Sequence, residues 1–157
     1  MSTPRAKDDA LVASLAEHLF DVMPMFPQRL IRRDELIHAF GMPLSHMHIL
    51  ILLEKGDMSI GQLSARTGVA KPNVTPLVDA LRDRGYVSRT RNSEDRRMVN
   101  VHLEEEGAEC LRKLREAVAD QIRKWPKGIT RSELRSLVAS LETLSGVMNA
   151  FDEAQRT

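Results

Sequence analysis

The side chains with the clearest chemical capacity in this sequence are cationic and hydrogen-bonding groups between residues 66 and 97. The candidate binding residues are Arg66, Lys71, Pro72, Asn73, Thr75, Pro76, Arg89, Arg91, Asp95, Arg96 and Arg97. Arginine and lysine neutralise phosphate oxygens, and short amide or hydroxyl side chains hydrogen-bond to base edges. Arginine also fits the narrow, electronegative minor groove of DNA. Together these residue types predict contacts with both the backbone and the bases of double-stranded DNA.

The distribution of charge along the chain supports this interpretation, whereas the total charge does not. The whole chain of 157 residues has a net charge of only +1. The stretch 59–103, however, contains eight lysine and arginine residues against four acidic ones, so the remainder of the chain is slightly acidic. A basic segment on an acidic body is typical of a protein that binds DNA and must also dissociate from it.

Two short helices separated by a glycine are predicted to position these side chains. Ser59, with Gln62 three residues later, forms a capping box at the start of the first helix. Gly68 supplies the left-handed residue that ends this helix. The second helix covers about residues 72–84, and its apolar positions are Val74, Leu77, Val78 and Leu81. A helix-turn-helix needs a small residue on its first helix, a glycine in the turn and an apolar residue on its second helix. Ser64, Gly68 and Val74 hold these three positions.

Pro76 lies inside the second helix and leaves the structure of its first turn open to two interpretations. If Asn73 is the N-cap, Pro76 is the third helical residue and removes only a donor that has no helical partner. If Lys71 is the cap and Pro72 the first helical residue, one backbone hydrogen bond is lost. We favour the start at Pro72 with a loosened first turn. In both cases the N-terminal end of the helix is exposed, where it would meet base edges.

A β-hairpin is predicted directly after this helix. Residues 86–91 and 98–103 alternate in polarity as strands do, and a polar turn joins them. Arg96 and Arg97 lie in this turn, where Asp95 can hold one guanidinium through a bidentate ion pair. Phosphate contacts are predicted for Arg66, Arg89 and Arg91. A helix-turn-helix followed by such a hairpin is a winged helix-turn-helix, with its wing at residues 86–103.

Three motifs in this region are shared with a known family. They are Gly85-Tyr86-Val87-Ser88-Arg89, Asp95-Arg96-Arg97 and Val99-x-Val101-x-Leu103-x-x-x-Gly107. With the upstream residues Leu63 and Gly68, they resemble the MarR family of bacterial transcriptional regulators. The resemblance implies that Asp95 and Arg97 act as a unit whose arginine enters the minor groove. The chain departs from the family pattern at Glu104, where a threonine usually caps the next helix, and at Pro76.

Apolar stripes outside this lobe predict a helical dimerisation region. Residues 1–43 form an N-terminal helical segment, residues 44–103 the DNA-binding lobe and residues 104–157 a C-terminal helical segment. The stripes either pack on one another within one chain or form an interface between two copies, and we favour the second arrangement. Two copies would present two recognition helices about 34 Å apart, one turn of B-DNA. The predicted fold is therefore mainly α with a small β-wing, and the family resemblance implies the same assembly.

Local signals delimit the helices of the dimerisation region. Pro24 and Pro27 are expected to kink or break the N-terminal helical rod, and Gly41 is expected to end it. Thr130 with Glu133 is a second capping box, which marks the start of the last helix.

The resemblance also implies an effector pocket where the dimerisation helices meet the DNA-binding lobe. In this chain the residues at that junction are the kinked stretch Met23, Pro24, Met25 and Phe26, together with Phe40, Met42 and Met47. Methionine suits an adaptable pocket because its thioether chain fills irregular space. Each of these residues could equally belong to a plain core. The predicted ligand is small and either mainly apolar or an aromatic acid.

Other reactive residue types give weaker signals. His46 and His48 point about 200° apart on a helix, and no cysteine or paired carboxylate completes a zinc site, so no metal or other cofactor is predicted. Cys110 is the only cysteine, which fits a reducing cytoplasm, and nearby glutamates oppose its ionisation. Asp79 and Asp83 are expected to have structural roles. The sequence lacks a phosphate-binding glycine loop, a metalloprotease motif and a nucleophile elbow, so we predict that the protein is not an enzyme.

These observations predict a cytoplasmic, homodimeric, sequence-specific transcriptional regulator. We favour a repressor that a small-molecule effector releases from a pseudo-palindromic operator. The alternatives are an architectural DNA-binding protein without an effector, a metal-responsive regulator, and a winged helix used for protein–protein assembly. An architectural protein would bind operator and random DNA equally, whereas an assembly module would show no salt-dependent DNA binding.

Overall fold

The computed structural model describes residues 4–25, 31–91 and 99–154, which form helices around a small sheet. In chain order the elements are α1 (Pro4–Val22), α2 (Arg33–Phe40), α3 (Leu44–Leu53), β1 (Met58–Ser59), α4 (Ile60–Thr67), α5 (Lys71–Asp83), β2 (Val87–Arg91), β3 (Val99–Leu103), α6 (Glu105–Arg123) and α7 (Arg131–Ala154). The predicted fold class is confirmed. The helix-turn-helix is α4 and α5, and the wing strands are β2 and β3.

The N-terminal helical rod is broken, as its prolines predict. Helix α1 ends at Val22, and α2 begins only at Arg33. Helix α2 ends at Gly41, whose φ of 56° lies in the left-handed region that favours glycine. Gly41 thereby turns the chain into α3, as the sequence predicts.

Helix α4 is capped as predicted. The hydroxyl of Ser59 accepts a hydrogen bond from the Gln62 N–H at 3.2 Å, and the Gln62 side chain accepts one from the Ser59 N–H at 2.8 Å. Gly68, with a φ of 69°, ends the helix. The hydroxyl of Ser64 then donates to the carbonyl of Val69 at 2.7 Å and fixes the turn that leads into α5. The small and turn positions predicted for the helix-turn-helix are therefore confirmed.

The three strands form one antiparallel sheet in the order β1-β3-β2. Met58 of β1 pairs with Val101 of β3. Strand β2 pairs with β3 along its whole length, from Val87 opposite Leu103 to Arg91 opposite Val99. Because β1 leads directly into α4, this sheet joins the wing to the start of the helix-turn-helix.

Helix α6 begins against the wing through a close backbone contact. The N–H of Glu104 donates to the carbonyl of Tyr86 at 3.0 Å. The Glu104 side chain makes no capping hydrogen bond, so its departure from the family pattern leaves α6 without a side-chain cap. Gly107 packs on the same carbonyl, because a Cβ at this position would lie only 2.3 Å from the Tyr86 oxygen. A side chain at residue 107 would push α6 away from the wing.

The hydrophobic core lies between α3, α4, α5, α6 and the sheet. Its most deeply buried side chains include Ile49, Leu50, Leu63, Val74, Val78, Leu81, Val101 and Leu111. Among the described residues, α1 and α7 contribute no buried apolar side chain to it. Their large apolar side chains are exposed instead, for example Phe20 at 75% and Leu141 at 51%. A single chain thus covers the apolar stripes of the DNA-binding lobe and leaves those of α1 and α7 uncovered.

Within the described ranges, no single helix is both long enough and apolar enough to cross a membrane. Helices α2 and α3 together have the required length and composition, but they are bent by 80° at their break. Several apolar side chains of α3 belong to the core.

Candidate nucleic-acid interface

Helix α5 begins one residue earlier than predicted. Its first residue is Lys71 and its N-cap is Ala70, so the caps considered from the sequence, Lys71 and Asn73, are both wrong. Pro72 is the second helical residue, where the missing N–H has no helical partner to lose. Pro76 lies one turn further on, and the carbonyl of Pro72 therefore lacks its usual helical donor. The predicted loss of one hydrogen bond in the first turn follows from this geometry.

The N-terminal turns of α5 present the predicted base-reading residues to solvent. Lys71, Pro72, Asn73 and Pro76 are exposed, and Thr75 is half-buried. The hydroxyl of Thr75 donates to the carbonyl of Lys71 at 3.3 Å, so it is already engaged with the helix. The Asn73 amide has both donor and acceptor groups. This end of α5 therefore combines a cation with an amide on an accessible surface.

Contacts along the rest of α5 fix its direction. Val74, Val78 and Leu81 are fully buried on one face of the helix. At the C-terminal end, the Arg84 guanidinium donates to the carbonyls of Phe40 and Gly41 at 3.3 and 2.6 Å. The helix is thus packed into the core along its length and tied to the end of α2.

An ion pair that the sequence does not reveal joins the wing to α5. In Arg89 of β2, Nη1 lies 3.0 Å from Oδ1 of Asp79, and Nη2 donates to the carbonyl of Thr75 at 3.4 Å. Arg82 also pairs with Asp79, at 3.1 Å. The sequence predicts a phosphate contact for Arg89 and a structural role for Asp79 but gives no sign that the two meet. Their ten-residue separation follows neither helix nor strand periodicity, so no local pattern could identify the pair.

A second set of polar contacts ties the wing to the turn before β1. Nδ1 of His102 lies 2.6 Å from Oδ2 of Asp57, and its Nε2 is hydrogen-bonded to the hydroxyl of Thr90. Because Thr90 is on β2 and His102 on β3, these contacts join both wing strands to the chain ahead of β1. A lone histidine in the sequence gives no indication of this arrangement.

The predicted wing-tip residues lie outside the described part of the chain. They are Asp95, Arg96 and Arg97. The strands on either side of residues 92–98 are paired up to Arg91 and Val99, and the side chain of Arg91 is not described. Arg66 is half-buried near the end of α4. The hairpin is therefore confirmed as far as its last described pair.

Burial disfavours ionisation at the two groups considered as possible sensors. Burial raises the pKa of the Cys110 thiol, which favours the inert thiol over the thiolate. The pKa of His46 is lowered, first by burial and then by the charge of Arg84. Among the residues that the structure describes, no group of three or more histidine, cysteine, aspartate or glutamate side chains is placed to hold a metal ion.

A cavity of about 620 Å³ opens between α2, α3 and α6. Its apolar lining includes Leu36, Leu44, Met47, Ile51, Leu114 and Val118. Arg33, Ser45 and His48 add polar groups to the wall. The cavity lies where α6 leaves the DNA-binding lobe, at the kind of junction predicted for an effector pocket.

The predicted pocket residues do not all meet at this cavity. Met23 and Met47 line it, whereas Met42 is 2% exposed within the core. Phe40 is half-buried against the core, and Met25 is exposed. Phe26 lies outside the described residues. The sequence locates the junction, but the cavity wall is formed mainly by aliphatic residues of α3 and α6 whose spacing is that of ordinary core positions.

Comparison with known proteins relates this geometry to a family. A model of the MarR family matches residues 40–98. The uncharacterized HTH-type transcriptional regulator YsmB of Bacillus subtilis (strain 168) is 31% identical over 115 residues, which are 73% of this chain and 79% of that protein. The chain belongs to the MarR family. The chain is also similar to the transcriptional repressor MprA of Escherichia coli (strain K12), with 30% identity over 95 residues that cover 59% of this chain and 54% of MprA.

Solved structures of the MarR family share the same fold. A crystal structure of a mutant MarR from E. coli complexed with operator DNA superimposes with a TM-score of 0.60 at 22% identity. The match covers 80% of this chain and 92% of that one. The family model and the relative YsmB identify the chain as a MarR-family transcriptional regulator, and the prediction that it is not an enzyme agrees with them.

Proposed function

We propose that the chain is a homodimeric, sequence-specific DNA-binding repressor that a small-molecule effector releases from a pseudo-palindromic operator. The observation that carries this proposal is the exposed N-terminal end of α5, on a helix that the core and the wing hold in place. A helix of this kind fits the major groove, and its N-terminal residues contact base edges. MprA is named as a repressor, and the MarR structure contains operator DNA, which supports the same role for this chain.

The proposed DNA contacts divide into three groups. Lys71 and Asn73 are the strongest candidates for base reading, because lysine binds guanine acceptors and an asparagine amide can pair with adenine. Pro72, Thr75 and Pro76 shape the same surface. Arg66 and Arg91 are proposed to contact phosphates. The minor-groove contact is assigned to the wing tip, which comprises Asp95, Arg96 and Arg97.

The exposed apolar faces of α1 and α7 support the proposed dimer. Helix α7 has 24 residues and is therefore about 36 Å long. Its large apolar side chains, like those of α1, are between about a third and three quarters exposed. An apolar surface of this extent on a single chain marks an interface. A two-fold dimer would place two copies of α5 about 34 Å apart, one turn of B-DNA.

The cavity between α2, α3 and α6 is the proposed effector site. Its apolar wall suits an aromatic or aliphatic ligand, and Arg33 and His48 could bind an acidic group on that ligand. A ligand there would contact both α6 and the helices that support α5. A coupling of about 1–3 kcal/mol between ligand and operator would be enough to change operator occupancy, and it must be reciprocal.

Selection of DNA fragments from a random pool at physiological salt tests this function. We expect a pseudo-palindromic motif whose half-sites are about one helical turn apart, bound at least about 10³-fold more tightly than random DNA. Asn73→Ala should alter the preferred base at one position in each half-site. The matched control is Arg135→Ala, which removes an exposed cation from α7 and should leave the motif unchanged.

Two outcomes would contradict the proposal. Equal affinity for selected and random DNA would identify an architectural protein. An absence of salt-dependent DNA binding would exclude a DNA-binding role altogether.

A further inference from the structure

We propose that Arg89 is a positioning residue that locks the wing to the recognition helix α5 and does not itself contact DNA. The effect of this lock on DNA binding rests on the proposed function. The lock itself is a property of the protein without DNA, so its existence does not depend on the proposed function.

The geometry of the Arg89 side chain carries the proposal. Its two terminal nitrogens reach different groups of α5: Nη1 is 3.0 Å from the Asp79 carboxylate, and Nη2 is 3.4 Å from the carbonyl of Thr75. In an α-helix the carbonyl of residue 75 faces the N–H of residue 79, so the two acceptors lie close together on one side of α5. The guanidinium therefore contacts both the backbone and a side chain of the helix. Two contacts from one planar group restrain the position of β2 against α5 more than a single ion pair would.

The backbone of Arg89 is fixed as firmly as its side chain. Arg89 pairs with Val101 in the middle of β3, and Val101 is fully buried. Strand β3 in turn pairs with β1, which leads into α4. Arg89 thus links the three-stranded sheet to the recognition helix.

The burial of Arg89 argues against a phosphate contact. Its side chain is 24% exposed, whereas that of Arg82, which shares the same carboxylate, is 48% exposed. The Nε of Arg89 is buried and forms no hydrogen bond within the part of the chain that the structure describes. A bidentate grip on phosphate uses two neighbouring guanidinium nitrogens. Nε is inaccessible, and each terminal nitrogen already donates to a group of α5, so fewer guanidinium N–H groups remain for a phosphate.

This lock has a consequence for recognition. The wing and α5 address different grooves, so the distance between them must match the distance between those grooves. A protein without the lock would keep every phosphate-binding cation but would hold them in a less defined arrangement. Specific binding should therefore weaken, while the number of counterions released on binding stays the same.

Two variants, each of which removes one partner of the Arg89–Asp79 pair, test the assignment. Asp79→Asn removes the partner of Arg89 and leaves the arginine in place, and Arg89→Gln does the reverse. If Arg89 is a positioning residue, both variants should weaken operator binding by roughly 3- to 30-fold, and the loss in the double variant should be smaller than the product of the two single losses. The dependence of log affinity on log salt should be unchanged in Arg89→Gln.

A phosphate contact would give the contrary result. Asp79→Asn would then free Arg89 and remove a negative charge, so operator binding would become tighter. Arg89→Gln would reduce the salt slope by about 0.9. Either observation overturns the proposal. Arg82→Gln is the matched control, because it removes a cation from the same carboxylate without breaking any link to the wing, and it should leave the ratio of operator to random-DNA affinity unchanged.

Urea unfolding of wild type, Asp79→Asn, Arg89→Gln and the double variant, measured without DNA, separates this inference from the proposed function. We expect the effects of Asp79→Asn and Arg89→Gln on stability to be non-additive, because both changes remove the Arg89–Asp79 pair. Additive effects would overturn the lock even if operator binding is normal. Conversely, a wild-type chain that binds no DNA would refute the proposed function while the unfolding cycle still decides the lock. Arg89→Lys, which keeps the charge but lacks the two terminal guanidinium nitrogens, covers the case in which Arg89→Gln does not fold, and it should lose part of the coupling.

Discussion

At the scale of single residues, the tightest requirement in this molecule is the absence of a side chain at position 107. A Cβ there would lie 2.3 Å from the Tyr86 carbonyl oxygen and 2.7 Å from Cδ1 of Leu103. Since a backbone oxygen cannot move aside as a flexible side chain can, Gly107→Ala should force α6 away from the wing. We expect a loss of about 1–3 kcal/mol in the free energy of unfolding, the range found for overpacked cores. Urea denaturation monitored by circular dichroism would measure it.

Gly61 supplies the matched control for that substitution. It also lies in a helix, α4, but a Cβ at this position would have as its nearest neighbour the flexible end of the Lys71 side chain, at 3.3 Å. Gly61→Ala should therefore be neutral or should stabilise the protein by up to about 1 kcal/mol through helix propensity. A destabilisation as large as that of Gly107→Ala would show that helical glycines are required here for reasons other than the Tyr86 contact.

The residues that sequence reasoning identified correctly are those whose partners lie within a few positions. Ser59 with Gln62 and the turn at Gly68 are readable because capping and left-handed turns depend on neighbouring residues alone. The contact of Arg89 with Asp79 depends on how a strand crosses a helix, which only the assembled fold determines. An arginine in a basic segment therefore indicates a phosphate contact until its neighbours in space are known.

At the scale of elements, helix α6 is attached to the DNA-binding lobe by polar contacts as well as by the core. The Arg115 guanidinium makes a bidentate contact with Glu54 at the end of α3. Further along α6, the side-chain amide of Gln121 accepts a hydrogen bond from the N–H of Arg32 at 2.8 Å and donates one to its carbonyl at 3.2 Å. These contacts hold α6 against the helices that line the cavity. A movement of α6 would therefore be transmitted to the DNA-binding lobe through them.

The Glu54 contact predicts a specific dependence of stability on pH. The hydrogen bond and charge of Arg115 lower the pKa of Glu54 in the folded protein. The stabilisation is therefore fully present above the ordinary glutamate pKa of about 4.3 and is lost as pH falls through the lowered value. At pH 7, Glu54→Gln should cost about 0.2–1 kcal/mol, the range for exposed ion pairs. Unfolding free energies measured from pH 7 to pH 2 should show wild type and variant converging in acid.

Removing the arginine provides the control for this prediction. In an Arg115→Gln background, Glu54→Gln should have no pH-dependent effect on stability. A difference between wild type and Glu54→Gln that persists at low pH would mean that the glutamate acts through packing and not through its charge.

The order and type of the elements could be predicted from the sequence better than their ends. Alternating polarity and helical stripes are repeated over many residues, so they identify the wing strands and helices α5 to α7. The start of α5 is different, because Ala70 has no capping side chain and two prolines each restrict the backbone there. The candidate cavity shows the same limit at a larger scale. The apolar part of its wall is made of residues from separate helices, and nothing in their spacing distinguishes a cavity from a core.

At the scale of the whole molecule, the distribution of exposed apolar side chains decides how the chain is expected to assemble. The stripe of α7 that contains Leu137 and Leu141 is about half exposed, whereas the stripe of α5 is fully buried at Val74, Val78 and Leu81. A single chain therefore buries the apolar stripe of the recognition helix in the DNA-binding lobe but leaves the apolar stripes of α1 and α7 exposed. In the proposed dimer the same helices would set the distance between the two recognition helices. The way the two copies assemble would therefore also determine the spacing of the operator half-sites.

Leu141→Arg tests that proposal directly. Leu141 lies near the middle of the α7 stripe, and an unpaired arginine in an apolar interface carries a large desolvation penalty. We expect the variant to be a folded monomer at micromolar concentration by sedimentation, with operator affinity reduced to the level of random DNA. Ala139→Arg is the matched control, because residue 139 lies about 160° around the helix from Leu141 and faces away from the stripe. It should remain a dimer. A wild-type chain that sediments as a monomer, or a Leu141→Arg variant that remains a dimer with normal operator binding, would show that α7 does not hold the two copies together.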